Sequence, residues 1–217
     1  MRFSIRSLLL LTILFAFGVA LFQPRRSKWE AMSVEAAVER LEKTIQLYEP
    51  EFKFAAKPLS ATQIAKLRGE LPNAPEQFFE LLAINDYRSS QLFSLWETIE
   101  YDELKAACKK TKETYLSLSP NDGWYGGDKF ECCQSDKIWR DEWIPIGYVN
   151  GNEVFIDMAP SKNGIRGQIV AVETDGWYMR VLGYSIAHWL HRIADQIEAD
   201  GQYSRTPFAV NPIPPPR

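Results

Sequence analysis

Cysteine is scarce in this chain, and the spacing of its cysteines argues against a disulfide framework and against a zinc site. The 217 residues include three cysteines, Cys108, Cys132 and Cys133, an odd set without the spacing of a disulfide framework. The C-x-x-C pairs that commonly hold zinc are missing as well. We therefore expect reduced thiols that pack or stay idle, which favours a reducing compartment.

Acidic residues are absent from the first part of the chain. None precedes Glu30, whereas five basic residues do: Arg2, Arg6, Arg25, Arg26 and Lys28. From Glu30 onward the chain carries all 28 acidic residues and five fewer than its 25 basic ones, a net charge of about −8. Because an acidic body repels phosphate backbones, the sequence argues against nucleic acid as a partner and favours a basic protein.

Residues 7–24 carry no charge, and their centre at residues 8–22 is almost wholly apolar. A cleaved secretory signal is one interpretation, with Gly18 and Ala20 near the cleavage site. A retained membrane span, which needs about 17 to 20 apolar residues, is the other. Cations directly after the run hinder export, so we predict a single-pass anchor within residues 1–29. The reduced thiols favour a cytoplasmic domain after it.

The first predicted helix of the following domain covers residues 33–48. Ser33 is placed to cap it, because its hydroxyl can accept a hydrogen bond from the first turn. Apolar side chains recur every three or four positions, as expected of a helix with one buried face. These positions are Val34, Ala37, Val38, Leu41, Ile45 and Tyr48.

Two further helices are predicted around a Leu-Pro break. Ser60 and Gln63 form a capping box that opens the second helix. Leu71 and Pro72 end it, and Pro75 lies near the start of a third helix, where its fixed φ is tolerated.

From Trp143 the apolar period changes from that of a helix to that of a strand. Alternation through Ile146 predicts a first strand, and Asn150-Gly151 is typical of a type I′ hairpin turn. A second strand then runs towards Met158.

Glycine marks the next two turns. Gly164 and Gly167 bracket a tight loop before a third strand at residues 168–172, and a fourth follows at residues 177–182. Ser185 is then placed to cap a closing helix.

That closing helix carries Trp189 and Leu190 on one apolar face and ends at Gly201. The tail after it holds five prolines and is expected to be disordered. We therefore divide the chain into an anchor at 1–29, a domain at 30–203 and a Pro-rich tail at 204–217.

The order of these motifs resembles the Smi/Knr domain of the SUKH superfamily over about residues 34–201. The Leu71-Pro72 break between two helices is similar to the family's Leu-Pro motif. The second half resembles its W-x-P strand, its aspartate-bearing strand, its G-x-x-G-Q strand and its S-x-x-x-W-L helix. The matching residues are Trp143, Pro145, Gly151, Asp157, Gly164, Gly167, Gln168, Ser185, Trp189 and Leu190.

The resemblance implies an α+β domain whose twisted, mainly antiparallel sheet has helices packed on one side. Here one amino-terminal transmembrane helix would precede it. The resemblance further implies a protein-binding domain that has neither catalytic activity nor a cofactor. Many bacterial members look like immunity proteins that neutralise a toxin domain, and fungal members regulate cell-wall synthesis through other proteins.

The chain offers few candidates for chemistry outside these motifs. His188 and His191 stand three residues apart on the closing helix and could share a metal, but we place them on its solvated face without a third ligand. Asp157 lies among apolar neighbours, and we expect it to accept backbone hydrogen bonds from the 164–167 loop. The alternative is a hydrolase that pairs Asp157 with His188 or His191.

A glycine-rich loop holds the candidate partner-binding residues Trp124 and Tyr125, although it lacks the glycine order of a phosphate loop. Aromatic side chains are common binding hot spots, and they are equally able to fold back onto their own domain. From these residues we expect a membrane-tethered, protein-binding domain, with an immunity protein as the alternative.

Overall fold

The computed structural model describes residues 29, 31–52, 58–84, 113, 142–149, 152–161, 164–173 and 178–201. Five predicted features lie outside these residues: the anchor at 7–24, the tail at 204–217, the loop with Trp124 and Tyr125, the turn at Asn150-Gly151, and the reduced thiols of Cys108, Cys132 and Cys133. No helix within the described ranges is long and apolar enough to cross a membrane. The anchor therefore stays a prediction.

Four helices lie among the described residues. They are α1 (Val34–Gln46), α2 (Ala61–Glu70), α3 (Glu76–Ile84) and α4 (Ile186–Asp200). The first three precede the sheet in sequence, and α4 follows it. All four positions were predicted from the apolar period and the capping residues.

The helix ends follow the expected capping chemistry. Ser33 Oγ accepts a hydrogen bond from the Ala36 N–H at 3.1 Å, and Ser60 and Gln63 form the reciprocal capping box. Ser185 Oγ accepts from the backbone of the first turn of α4, which ends at Gly201 with a φ of 64°. Only glycine adopts that backbone conformation without strain, which explains why α4 stops there.

The predicted end of α1 at residue 48 is wrong by two residues. The helix ends at Gln46, and the N–H groups of Leu47 and Tyr48 donate to Thr44 and Ile45 in a tighter final turn. Because this turn rotates the chain away from the core, Leu47 is 73% exposed and Tyr48 is 37% exposed. Tyr48 therefore does not belong to the buried stripe.

The four described strands form one antiparallel sheet in the order β1-β2-β3-β4, with β1 (Trp143–Val149), β2 (Asn152–Asp157), β3 (Gln168–Glu173) and β4 (Tyr178–Gly183). Consecutive strands are neighbours, as in a simple meander. The register of β1 against β2 shifts between Pro145 and Gly147. A proline lacks the N–H for an inner ladder position, so a place beside this irregularity of the ladder is favourable for Pro145.

One face of the sheet joins the helices in a single apolar core. It includes Val154, Ile156 and Leu182 of the strands, together with Leu41 of α1 and Trp189 of α4. These two layers confirm the α+β class and the antiparallel sheet for the described residues.

The opposite face of the sheet is buried as well, which a sheet with helices on one side does not predict. Trp143, Phe155, Val170 and Val181 on that face are each at most 3% exposed. The Trp143 and Phe155 rings pack with their centroids 5.0 Å apart. Apolar side chains occur at both odd and even positions of β3, which is typical of a strand buried on both faces.

Gly183 allows the sheet and α4 to meet at unusually short range. A Cβ at this position would lie 2.6 Å from Trp189 Cβ and 2.7 Å from Trp189 Cα. Only the missing side chain allows the last residue of β4 to approach the helix backbone this closely. This contact fixes where α4 lies on the sheet.

Candidate functional site

Asp157, the acid that the sequence singled out, ends β2 opposite Gln168 of β3. It is 1% exposed, and its carboxylate accepts hydrogen bonds from Gln168 Nε2 at 3.0 Å and from the Ala159 N–H at 3.1 Å. A buried carboxylate is costly unless it is hydrogen-bonded in this way. The cross-strand pair of carboxylate and amide is therefore a stable part of the sheet.

The 164–167 loop reaches Asp157 by a different route from the one we expected. The Gly167 N–H donates to the backbone carbonyl of Asp157 at 2.7 Å, and the Ile165 N–H donates to Gln168 Oε1 at 3.1 Å. The Gln168 amide thus links the loop to the carboxylate. Gly167 has a φ of 87°, which only glycine adopts readily, so the loop depends on it.

The Leu71-Pro72 break and the 164–167 loop, far apart in sequence, lie side by side. Arg166 donates to the carbonyl of Asn73 at 3.1 Å, and a Cβ at Gly167 would be 3.8 Å from Pro75. Leu71 packs against the core, whereas Pro72 is exposed. Two of the family-like motifs therefore form one continuous edge of the domain.

Both histidines are half-buried, so the prediction that they lie on a solvated face is wrong. The ring of His188 stacks on Tyr184 with centroids 5.2 Å apart, and its Nδ1 accepts the Tyr184 N–H at 3.1 Å. The physical reason is that α4 starts directly after β4, so the side chains of its first turn face back onto the strand end. His188 therefore joins β4 to α4.

Arg192 extends the same junction. Its guanidinium donates to the carbonyl of Leu182 at 2.6 Å, and burial lowers the pKa of this side chain. Earlier in the chain, Ser185 and His188 already tie the start of α4 to the strand end. Ser185, His188 and Arg192 thus fix the position of α4 relative to the end of β4.

Gln77 was missed by the sequence analysis, although it joins three segments. This α3 residue is 6% exposed; its Nε2 donates to the carbonyl of Met32 at 3.0 Å, and its Oε1 accepts the Ala187 N–H at 3.2 Å. The first N–H groups of a helix have no partner within the helix, and Gln77 supplies one for α4. No local sequence pattern marks such a contact.

A groove lies between α1 and α4. We call it the α1–α4 groove; its volume is about 430 Å³. It is lined by Ala36, Glu39, Arg40, Lys43, Thr44, Leu47 and Glu198. Sequence reasoning did not single out any of these residues.

Arg40 crosses this groove from α1 to α4. Its Nη2 lies 2.7 Å from the Asp195 carboxylate and 2.9 Å from that of Glu198, to which the Thr44 hydroxyl also donates at 3.1 Å. Burial opposes the charged form of Arg40, but the hydrogen bonds to the two carboxylates outweigh it and raise the pKa of the guanidinium. The floor of the groove is thus a fixed ion-pair network.

His191 lies close to this network. Burial lowers the pKa of its imidazole, the charge of Arg40 lowers it further, and Asp195 offsets part of the effect. The neutral form of His191 is therefore favoured beside the ion pairs.

Within the described ranges, no group of three or more His, Cys, Asp and Glu side chains is arranged to hold a metal. Trp143 and Trp189 are both buried, at 3% and 1% exposed, and Trp189 belongs to the core between the sheet and the helices. Leu190 is 1% exposed and belongs to the same core as Trp189, and Pro145 lies in β1 next to the shift of register. These motif residues are placed to stabilise the fold.

The comparisons with known proteins agree with this fold. A scan of protein families matches residues 58–192 with the SMI1 / KNR4 family (SUKH-1). A search of curated proteins finds no match. The matched segment is more than half of the 217 residues and includes both the Leu71-Pro72 break and the four described strands. The resemblance inferred from the motifs is confirmed, and the chain belongs to the SMI1 / KNR4 family (SUKH-1).

Proposed function

We propose that this chain is a non-catalytic protein-interaction domain of the SUKH type, tethered to a membrane by its amino-terminal segment. Membership of the SMI1 / KNR4 family over residues 58–192 is the observation that carries the proposal. The domain acts, in this view, by presenting a folded surface to another protein.

The contacts of the candidate catalytic groups support a non-catalytic role. Asp157 accepts from Gln168 and Ala159, and His188 accepts the Tyr184 N–H. A general base has to offer its lone pair to a substrate proton, directly or through water. These groups use lone pairs to hold strand ends and the start of α4, which is a structural task.

The proposed tether consists of residues 7–24, with the domain on the cytoplasmic side. It is supported by the uncharged run and by the basic residues that follow it. Deleting residues 1–29 should move the protein from the membrane to the soluble fraction of a cell lysate. A mature chain that starts at Leu21 in amino-terminal sequencing would show a cleaved signal instead.

We propose that the partner is a basic protein. The net charge of about −8 from Glu30 onward supports this, because opposite charge speeds association and disfavours acidic competitors. If the partner is a toxin domain, the chain is an immunity protein, the second function we consider for a member of this family.

The test is affinity purification of the full-length chain from the cells that make it, in a nonionic detergent, with quantitative mass spectrometry. We expect one protein to be enriched in a fixed ratio to the chain. The matched control is Trp189→Ala, which removes a side chain that is 1% exposed and should unfold the domain, so the partner should be lost.

The same partner distinguishes the two functions. A partner that stops growth when it is expressed alone, and no longer does so when the chain is co-expressed, identifies an immunity protein. A partner without effect on growth favours a regulatory domain. Hydrolysis of an ester or peptide library that is abolished by both Asp157→Asn and His188→Gln would instead support the hydrolase alternative and contradict the proposal.

A further inference from the structure

Leu47 is placed unlike the other large apolar side chains of the described residues. It is 73% exposed and lines the α1–α4 groove, and Tyr48 beside it is 37% exposed. A single exposed leucine is ordinary on a protein surface. Here, however, the exposed side chain stands at the end of a groove, where an apolar group of a partner can be buried against it.

The shape of the groove fits a short helix. Ala36, Arg40 and Leu47 line it at helical spacing along α1. At a rise of about 1.5 Å per residue, Ala36 and Leu47 are roughly 16 Å apart along the helix axis. A partner helix of about three turns spans that length. The small Ala36 side chain leaves the amino-terminal end of the groove open.

The two helices that form the groove, together with the turn after α1, carry an excess of acidic residues. On α1, α4 and the turn that follows α1, three basic residues, Arg40, Lys43 and Arg192, stand against eight acidic ones. These are Glu35, Glu39, Glu42, Glu49, Glu51, Asp195, Glu198 and Asp200.

The other described edge of the domain is balanced by comparison. On α2, α3 and the 164–167 loop, Lys66, Arg68 and Arg166 offset Glu70, Glu76 and Glu80. The helices α1 and α4 and the turn after α1 thus carry more negative charge than α2, α3 and the 164–167 loop. Such an excess attracts cationic groups within a Debye length of about 8–10 Å.

Ion pairs cross the groove between the two helices and run along α1. Arg40 joins Asp195 and Glu198 across the two helices, and Lys43 pairs with Glu39 along α1 at 2.6 Å. A preformed surface loses less side-chain freedom on binding, which favours affinity. The lining itself is balanced, because the cations Arg40 and Lys43 pair with carboxylates such as Glu198 and Glu39. The excess negative charge that a partner meets therefore comes from the other carboxylates of α1, α4 and the turn after α1.

We propose that the α1–α4 groove is a docking surface for a basic amphipathic helix of about three turns, whose apolar side chains pack on Leu47 and Ala36. Its lysine or arginine residues face the surrounding carboxylates. This inference rests on the proposed protein-binding function and specifies the partner that the domain takes.

The test uses synthetic helices as probes, each about 11 residues long and stapled, because short helices are marginal in water. One probe has leucine on one face and lysine on the other, a second replaces lysine by glutamate, and a third replaces leucine by serine. Fluorescence anisotropy with the full-length chain should show saturable binding of the Lys/Leu probe and at least about fivefold weaker binding of both others.

Variants locate the binding surface. Leu47→Ser and Glu39→Lys should each weaken the Lys/Leu probe by about fivefold or more, since one removes the apolar contact and the other reverses a charge of the groove. The matched control is Glu80→Lys on the exposed side of α3, which should change the dissociation constant by less than about twofold. Thermal melts of all three variants should coincide with that of the unaltered chain.

Other occupants give different results. An unchanged affinity for Leu47→Ser, or an equal loss for Glu80→Lys and Glu39→Lys, would overturn the proposal. A self-association of the full chain that disappears with Leu47→Ser would assign the groove to a second copy instead. A natural partner captured equally well by the unaltered chain and by Leu47→Ser would refute the docking surface and leave the protein-binding function intact, whereas capture of no partner at all would refute that function.

Discussion

Gly183→Ala tests the contact that positions α4 on the sheet. The added Cβ would lie 2.6 Å from Trp189 Cβ, 2.7 Å from its Cα and 2.8 Å from its backbone nitrogen. None of these atoms is the tip of a flexible side chain, so either the strand end or the helix must move. Overpacking of this kind typically costs about 1–3 kcal/mol.

The expected effect is a lower melting temperature. For a protein of this size a loss of 1 kcal/mol shifts Tm by about 2–4 °C, so Gly183→Ala should lower Tm by roughly 2–12 °C. The assay is thermal unfolding of the full-length chain, followed by circular dichroism and by tryptophan fluorescence. Trp189 lies at the contact and is one of the seven tryptophans that contribute to the fluorescence signal.

Gly69→Ala is the matched control. It makes the same chemical change inside α2, where nothing lies within 4 Å of the added Cβ. Alanine favours a helix over glycine by about 0.5–1 kcal/mol, so Tm should rise by a few degrees. A Gly183→Ala protein that is as stable as the unaltered chain, or stabilised like Gly69→Ala, would refute the close packing of β4 on α4.

Three further predictions concern polar contacts, each measured by urea unfolding of the full-length chain. Gln77→Ala should cost about 1–3 kcal/mol, because it leaves the Ala187 N–H at the start of α4 without this acceptor. Asp157→Asn should cost a similar amount, since two amide groups then face each other. Adding Gln168→Glu exchanges donor and acceptor and should recover part of the lost stability. No recovery in the double variant would contradict the pairing of Asp157 with Gln168. The pKa of His191 in the folded protein is below its ordinary value of 6.5, so the unfolded chain binds a proton at this site at higher pH than the folded chain does. The stability should therefore fall as the pH drops below about 6.5. His191→Gln should make the stability less dependent on pH in that range.

The helices were predictable because their ends are marked by neighbouring residues. The hydroxyl of Ser60 and the amide of Gln63 act within one turn, and Gly201 ends α4 through its own backbone conformation. The strands followed from the change of period at Trp143. Such signals need no knowledge of the tertiary structure, and they placed all the described elements.

Contacts between distant segments were not predictable in this way. Gln77 meets Ala187 over 110 positions of sequence, and Gly183 has the same local appearance as a glycine that only ends a strand. The half-buried state of His188 depends on how closely α4 follows β4. In each case the three-dimensional packing decides the role, and the helical period alone placed the histidine on the wrong surface.

The candidate binding surface shows the same limit. The sequence drew attention to Trp124 and Tyr125, which lie outside the described residues, and it assigned Tyr48 to a buried stripe. The α1–α4 groove depends on two features of the three-dimensional structure, the exposure of Leu47 after the last turn of α1 and the ion pairs between α1 and α4. Motif residues such as Asp157 and Trp189 proved to be parts of the scaffold that holds this surface.

The central claim is that this SUKH domain works by binding another protein. The most direct measurement is isothermal titration calorimetry of the purified full-length chain with the protein that co-purifies with it. We expect saturable binding with a fixed stoichiometry, and a dissociation constant that Leu47→Ser raises by about fivefold or more. No detectable binding between the purified pair, at concentrations where both proteins stay folded, would contradict the claim.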